Sequence, residues 1–134
     1  MGRLRIPPPI AELLGFTMTS VESGTAVIEF AADERHANPM GTLHGGVLCD
    51  ISDAAMGMAY ASLLAPGESF TTLELKINFL KPVRSAKLTA VGRVVKKGAT
   101  IGLVACDVTD EAGSLVSHAT STCMTLTGDK ARDR

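Results

Sequence analysis

The segment from Gly45 to Leu64 most constrains the fold, because it is the one long helix candidate in the sequence. Val47, Ile51 and Met58 supply apolar positions at helical spacing, and small residues cover much of the remaining surface. A helix that is apolar or small on nearly every side is typically a buried one. Pro66 and Gly67 are expected to end it.

The sequence after this helix predicts strands throughout. Alternation and turn signals place them at 71–80, 86–97, 100–109 and 115–126. In the first of them, strict alternation puts Leu73, Leu75 and Ile77 on one face and Thr72 on the polar face. One buried helix followed by hairpin-linked strands favours an α+β fold, with a curved antiparallel sheet wrapped around a central helix.

The residues before the helix predict smaller elements. Pro9 to Gly15 suits a short helix, 18–31 reads as extended chain with a turn or bulge at Ser23-Gly24, and 33–42 reads as a loop. Residues 1–8 are expected to form a loose arm, too short and too rich in proline for a signal peptide, and 128–134 a charged tail.

Composition narrows the class of protein. A chain of 134 residues supports one domain with a core and is too short for two. A net charge of −1, one tyrosine and no tryptophan argue against nucleic-acid binding. Three scattered cysteines indicate reduced thiols in the cytoplasm. No apolar run approaches the ~18 residues of a membrane span.

A polar loop just before the helix carries the most distinctive residues. Asn38 is followed by Gly41-Thr42-Leu43-His44-Gly45-Gly46, and Asp53 stands nine residues after His44. This pattern, together with the strand segment 71–84 that runs into Pro82, resembles the hotdog-fold acyl-CoA thioesterases of the phenylacetate-degradation (PaaI-like) type. The resemblance covers roughly residues 12–127 of a single domain predicted over 1–134.

The resemblance implies a hydrolase that acts on acyl-CoA thioesters without a cofactor or a metal. By matching position, Gly45 would offer a backbone N–H to the thioester carbonyl, and Asp53 would act as nucleophile or general base. Asn38 and His44 would lie beside the reacting carbonyl or water, and Thr72 near the acid. A donor at a helix N-terminus suits an oxygen that becomes negative.

The resemblance also implies a CoA-binding surface. Gly46, with Gly45, would let the substrate approach the backbone closely. Among the exposed basic residues, Lys81, Arg84 and Lys96 would meet the CoA phosphates, and Arg84, directly after the end of its strand, is the first choice.

The spacing of the two central residues predicts an oligomer. Gly45 and Asp53 are eight residues apart on one helix, or roughly 12 Å along its axis. Both must reach one thioester, so we expect Gly45 of one subunit to face Asp53 of another across two antiparallel helices. The chain is therefore expected to be at least a homodimer, and the resemblance suggests a homotetramer.

Several alternatives compete with this interpretation. Asp50, one turn before Asp53, is the rival acid. Cys49 and His44 do not align on one helical face, and His36, His44, Asp50 and Asp53 match no metal-binding spacing. A non-catalytic acyl-CoA-binding module is the main alternative function, whereas a hydratase lacks its characteristic histidine motifs here. The sequence leaves both aromatic and medium-chain acyl groups open.

Overall fold

The computed structural model describes residues 5–133, which form three α-helices, one 3-10 helix and six strands. The predicted helix near the start is confirmed as α1, Pro9–Leu14, which begins after Pro8 and ends at Gly15, a glycine with φ 89°. Of the predicted loose arm, residues 5–8 are exposed and lack regular secondary structure, and residues 1–4 lie outside the described part of the chain. No helix in the described part is long and apolar enough to cross a membrane.

The strands form one antiparallel sheet with the spatial order β1-β2-β4-β5-β6-β3. Their bounds are Phe16–Glu22 (β1), Thr25–Ala32 (β2), Ser69–Phe79 (β3), Ala86–Lys97 (β4), Ile101–Thr109 (β5) and Leu115–Leu126 (β6). The turn predicted at Ser23-Gly24 is confirmed as the β1–β2 connection, with positive φ at both residues. Strands β1 and β3 are the two edges of the sheet.

The long helix α2, Gly45–Ala61, lies across the sheet and contacts all six strands. A flat six-stranded sheet would be about 24 Å wide at a strand spacing of about 4.8 Å, and a helix only about 10 Å wide cannot reach both edges unless the sheet curves around it. The predicted hotdog architecture is therefore confirmed. Helix residues such as Ile51, Ala55 and Tyr60 are fully buried against the sheet.

Three details of the prediction were wrong. Helix α2 ends at Ala61, because the Ser62 hydroxyl bonds the Ala59 carbonyl and accepts the Gly24 N–H. One side of α2, which carries Gly46, Asp50 and Asp53, is exposed. The predicted tail contains a short helix, α3, over Asp129–Arg132.

The alternation predicted for β3 was also wrong, because the strand contains a β-bulge at Leu73. Thr72 pairs with Cys123 and Glu74 pairs with Thr122, so Leu73 has no partner of its own. A bulge exchanges the faces of a strand. Phe70 and Thr72 therefore lie on the same face as Leu75, Ile77 and Phe79, toward α2, and Leu73 is exposed.

Candidate active site

The polar loop before α2 is closed into a compact unit by backbone hydrogen bonds. A 3-10 helix, Glu34–His36, opens it, and the His44 N–H donates to the His36 carbonyl at 2.9 Å. Between these residues, Ala37 and Leu43 form an isolated β-bridge. The Leu43 N–H donates to the Val83 carbonyl at 2.8 Å, which ties the loop to the β3–β4 connection.

Asn38 organises the interior of this loop. Its side-chain carbonyl accepts the N–H groups of Met40 and Thr42 at 3.0 and 3.1 Å, and its amide nitrogen donates to the Thr42 hydroxyl at 2.8 Å. Asn38 is thus occupied within the loop, although it also lines the cavity described below. The structure places Asn38 as a turn residue at the edge of the site.

His44 caps the N-terminus of α2 with its ring. The Gly46 N–H donates to His44 Nδ1 at 2.9 Å, and the Val47 N–H donates to the His44 carbonyl at 3.0 Å. Because Nδ1 accepts a hydrogen bond, the neutral ring carries its proton on Nε2. The Gly45 N–H has no acceptor among residues 5–133, so it is the free donor at this end of the helix.

An open cavity of about 370 Å³ lies beside Gly45. Phe79 forms one wall at Gly45, where a Cβ would come within 2.8 Å of the Phe79 ring, so only glycine fits without moving that ring. The side chains around the cavity are mainly apolar, namely Leu43, Leu48, Phe79, Leu80, Pro82 and Val83, with Asn38, Thr42 and Lys81 as polar members. The residue with the free donor thus borders a space that an apolar group can fill.

Asp53 lies two helical turns further along α2 and does not line this cavity. The residue is exposed in the single chain, yet the apolar surroundings of its carboxylate raise its pKa, and the nearby Asp50 carboxylate raises it further. A raised pKa makes a carboxylate a better base. The pKa of Asp53 is therefore shifted in the direction that favours a general base.

Helix α2 runs antiparallel to β3, because Gly45 contacts Phe79 while Gly57 contacts Phe70. Cys49 and Asp53 occupy the helical stripe between these glycines. The Thr72 hydroxyl lies 3.7 Å from Cys123 Sγ, and the pKa of that thiol is raised mainly by burial and to a lesser extent by the Asp53 charge. The bulge thus turns Thr72 toward the part of the site that holds Asp53.

Cys49 lacks the properties of a nucleophile. Burial raises the pKa of its thiol, and the charges of Asp50 and Asp53 raise it further. A reactive cysteine needs the opposite shift. His36 is buried within the loop, and residues 5–133 contain no group of three or more His, Cys, Asp or Glu residues suited to a metal ion.

The three predicted phosphate contacts are not at one place. Arg84 donates from Nη1 to the Gly41 carbonyl at 3.0 Å, beside the loop. Lys81 lines the cavity and bonds Asp110 at 2.5 Å, which lowers the pKa of that carboxyl. Lys96 lies at the opposite end of β4, next to Lys97, whose ammonium is 5.9 Å from the Tyr60 ring near the C-terminal end of α2.

Phe79 and His36 are site residues that the sequence did not single out. Phe79 lies on the helix-facing side of β3, where it is 57% exposed and its ring covers Gly45. The sequence feature that could have identified Phe79 is a large aromatic residue at the end of a strand, three residues before Pro82. The sequence suggested no role for His36, because it matched no metal-binding pattern.

The comparisons with known proteins agree with this architecture. The model of the thioesterase superfamily matches residues 40–117. A 1,4-dihydroxy-2-naphthoyl-CoA hydrolase of Listeria monocytogenes is 29% identical over 80% of this chain and 87% of its own length. Acyl-coenzyme A thioesterase 13 of Homo sapiens is 28% identical over 76% and 74%.

A solved structure extends the likeness to the whole fold. A phenylacetic acid degradation-related protein from Ralstonia eutropha JMP134 superimposes with a TM-score of 0.80 at 30% identity, over 88% of this chain and 91% of its own. The residues matched by the family model, 40–117, contain the end of the loop, α2 and strands β3, β4 and β5. The chain therefore belongs to the thioesterase superfamily, as a hotdog-fold thioester hydrolase of the phenylacetate-degradation type.

Proposed function

We propose that this protein is an acyl-CoA thioesterase that hydrolyses its substrate to a free acid and CoA. The observation that carries the proposal is the N-terminus of α2, where the His44 ring accepts the Gly46 N–H and the Gly45 N–H stays free beside a cavity with both apolar and polar walls. A thioester carbonyl bound there would receive a hydrogen bond that strengthens as its oxygen becomes negative. The acyl group would extend along Phe79 and Leu48.

Asp53 would supply the other half of the chemistry. As a general base it takes a proton from water, whose oxygen bonds to the carbonyl carbon; the C–S bond then breaks, and the CoA thiolate leaves and is protonated. As a nucleophile its carboxylate oxygen bonds to the carbonyl carbon, the C–S bond breaks, the CoA thiolate leaves and is protonated, and water then hydrolyses the resulting anhydride. In either case the carboxylate must be ionised, and the Thr72 hydroxyl, on the helix-facing side of β3, would orient Asp53 or the water.

The active site would be shared by two subunits. The cavity at Gly45 does not include Asp53 of the same chain, and the roughly 12 Å between them along α2 is too far for one thioester. A second α2 in antiparallel orientation would bring the partner's Asp53 to Gly45. Edge strand β3, with one side unpaired within this chain, is available for that association. A homotetramer of two such dimers, acting in the cytoplasm, completes the proposal, and the three free cysteines suit that compartment.

The CoA phosphates would meet Arg84 first. Its guanidinium is anchored at Gly41 by one N–H, which leaves its other donors for an anion. Lys81 would bind a phosphate only after breaking its ion pair with Asp110, and Lys96 would have to reach the phosphates from the other subunit. The order of importance expected from the contacts is thus Arg84, then Lys81, then Lys96.

The test measures release of free thiol from a panel of acyl-CoAs that contains aromatic and medium-chain members. The wild type is compared with Asp53→Asn and with Asp50→Asn, a matched exposed carboxylate on the same face of the helix. We expect turnover of at least one substrate and a loss of at least about 100-fold in kcat for Asp53→Asn alone. Oligomeric state is checked for each variant by light scattering.

Other outcomes have clear meanings. Binding of acyl-CoA without hydrolysis by the wild type would replace the proposal by a non-catalytic binding module. Loss of activity in Asp50→Asn but not in Asp53→Asn would identify Asp50 as the catalytic acid. A single turnover in ¹⁸O-water identifies the nucleophilic route if ¹⁸O enters the Asp53 carboxylate, because water that attacks the Asp53 carbonyl of the anhydride leaves its label there, whereas the general-base route never labels Asp53.

A further inference from the structure

We infer that His36 is a positioning residue that fixes the Gly45 donor through hydrogen bonds at the base of the loop. The inference rests on the proposed function, since it assigns His36 a role in the reaction promoted there. His36 is not expected to touch the substrate. It acts through His44, the residue that caps α2.

Both nitrogens of the His36 ring are used inside the protein. Nδ1 accepts the Asp33 N–H at 3.1 Å, and Nε2 lies 3.0 Å from the Leu14 carbonyl. Because Nδ1 is an acceptor, the proton is on Nε2, which donates to Leu14. The ring is only 7% exposed and packs edge-on against Phe30, with 4.7 Å between the ring centroids.

These contacts join three parts of the chain. The Nδ1 bond closes the capping box of the 3-10 helix, the Nε2 bond reaches the last residue of α1, and Phe30 belongs to β2. Side chains held from several directions have one well-defined position. His36 therefore fixes the start of the loop relative to the sheet.

A backbone hydrogen bond links the position of His36 to the candidate site. The His36 carbonyl accepts the His44 N–H at 2.9 Å, and Gly45 follows at once. A shift of the His36 backbone would therefore move the capping residue and the free N–H of Gly45. Donors of this kind stabilise a transition state only when their geometry is held, and a misplacement of about 1 Å can lower the rate by about 100-fold.

Packing alone would not explain the choice of histidine here. Phenylalanine would fill a similar volume against Phe30, but it would leave the Asp33 N–H and the Leu14 carbonyl without their present partners. Glutamine can restore part of the bonding, because a Gln at this position of a capping box reaches back to the first N–H. The Leu43–Val83 bond remains in every variant, so the loop should stay in place approximately while its start shifts.

The experiment compares His36→Phe, His36→Gln and the control His118→Phe. His118 pairs with Asp107 at 2.6 Å on the face of the sheet away from α2. We expect His36→Phe to lower kcat by about 10- to 100-fold with KM changed by less than about threefold. His36→Gln should recover most of that loss, and His118→Phe should match the wild type.

Amide NMR spectra give a second readout that needs no substrate. The Gly45 and Gly46 amide signals should move in His36→Phe, return toward the wild type in His36→Gln and stay unchanged in His118→Phe. If the wild type hydrolyses no acyl-CoA, the proposed function fails and these amide shifts alone decide the role of His36. Unmoved amides, unchanged kcat in His36→Phe, or no recovery in His36→Gln would each overturn the inference.

Discussion

Gly92 allows helix α2 to lie directly on the sheet, and replacing it with alanine is the most direct test of that packing. A Cβ at this position in β4 would lie 2.5 Å from both the carbonyl carbon and the oxygen of Ala55, and 2.8 Å from the Met56 nitrogen. These are backbone atoms in the middle of a helix, so no side-chain rotation relieves the clash. Contacting carbon atoms lie about 3.5–4.0 Å apart, so the helix would have to retreat by roughly 1 Å.

The expected loss of stability follows from that displacement. Overpacking of a well-packed core typically costs about 1–3 kcal/mol. For a chain of this length, that corresponds to a fall in Tm of about 3–12 °C at fixed protein concentration. Because α2 carries both Gly45 and Asp53, we also expect kcat to fall in the molecules that remain folded.

Gly57→Ala is the matched control, since it adds the same methyl group to α2 itself. Its Cβ would meet the Phe70 ring at 3.4 Å, an ordinary contact. The greater helix propensity of alanine should make this variant neutral or more stable, by up to about 1 kcal/mol. Thermal unfolding followed by circular dichroism measures both. Equal Tm values for Gly92→Ala and the wild type would refute the packing described here.

Three further predictions concern the site. The Asp53 carboxylate must be ionised and its pKa is raised, so the acid limb of the pH profile of kcat should lie above pH 3.8, the ordinary aspartate value. Because the Asp50 charge contributes to the raised pKa, this limb should move to lower pH in Asp50→Asn. An unmoved limb would contradict the coupling of the two acids. Thr72→Val keeps the shape of the side chain but removes one hydrogen bond of about 1 kcal/mol, so kcat should fall about fivefold with Tm nearly unchanged. Wild-type kinetics in this variant would show that the hydroxyl plays no part in the reaction. Burial raises the pKa of Cys106 to about 12, so a thiol reagent at pH 8 should label it only after unfolding, and rapid labelling of Cys106 in the native protein would disprove its burial.

Much of the architecture was predictable because local patterns and global packing agree along most of the chain. Strands β4 and β6 have the predicted bounds, since β6 and most of β4 alternate regularly and a turn follows each of them. The start of α2 was also predictable, because a histidine followed by two glycines at the end of a polar loop suits a helix cap. A curved antiparallel sheet around one helix followed from the order of the elements, and the resemblance of the loop motif identified this arrangement as the hotdog fold.

The β-bulge at Leu73 could not be predicted from the sequence. Leu73, Leu75 and Ile77 form a regular apolar series in the sequence, with no glycine to suggest an irregularity, and the pairing with β6 alone reveals the extra residue. Thr72 consequently seemed to lie on the polar face, whereas it lies toward α2. The role of Asn38 inside the loop was equally hidden, because it depends on atoms of Met40 and Thr42 brought close by folding.

The strand order of the sheet has a consequence for how the protein folds. Pairs β1–β2, β4–β5 and β5–β6 join neighbouring strands, whereas β3 must wait for β6, which follows it in the chain after β4 and β5. Pairing over such a separation is slow, because a long loop must close before any contact compensates for the lost chain entropy. Thr72 and Phe79 both belong to this late strand. A nascent chain would therefore bury most of its core before it possessed a complete active site.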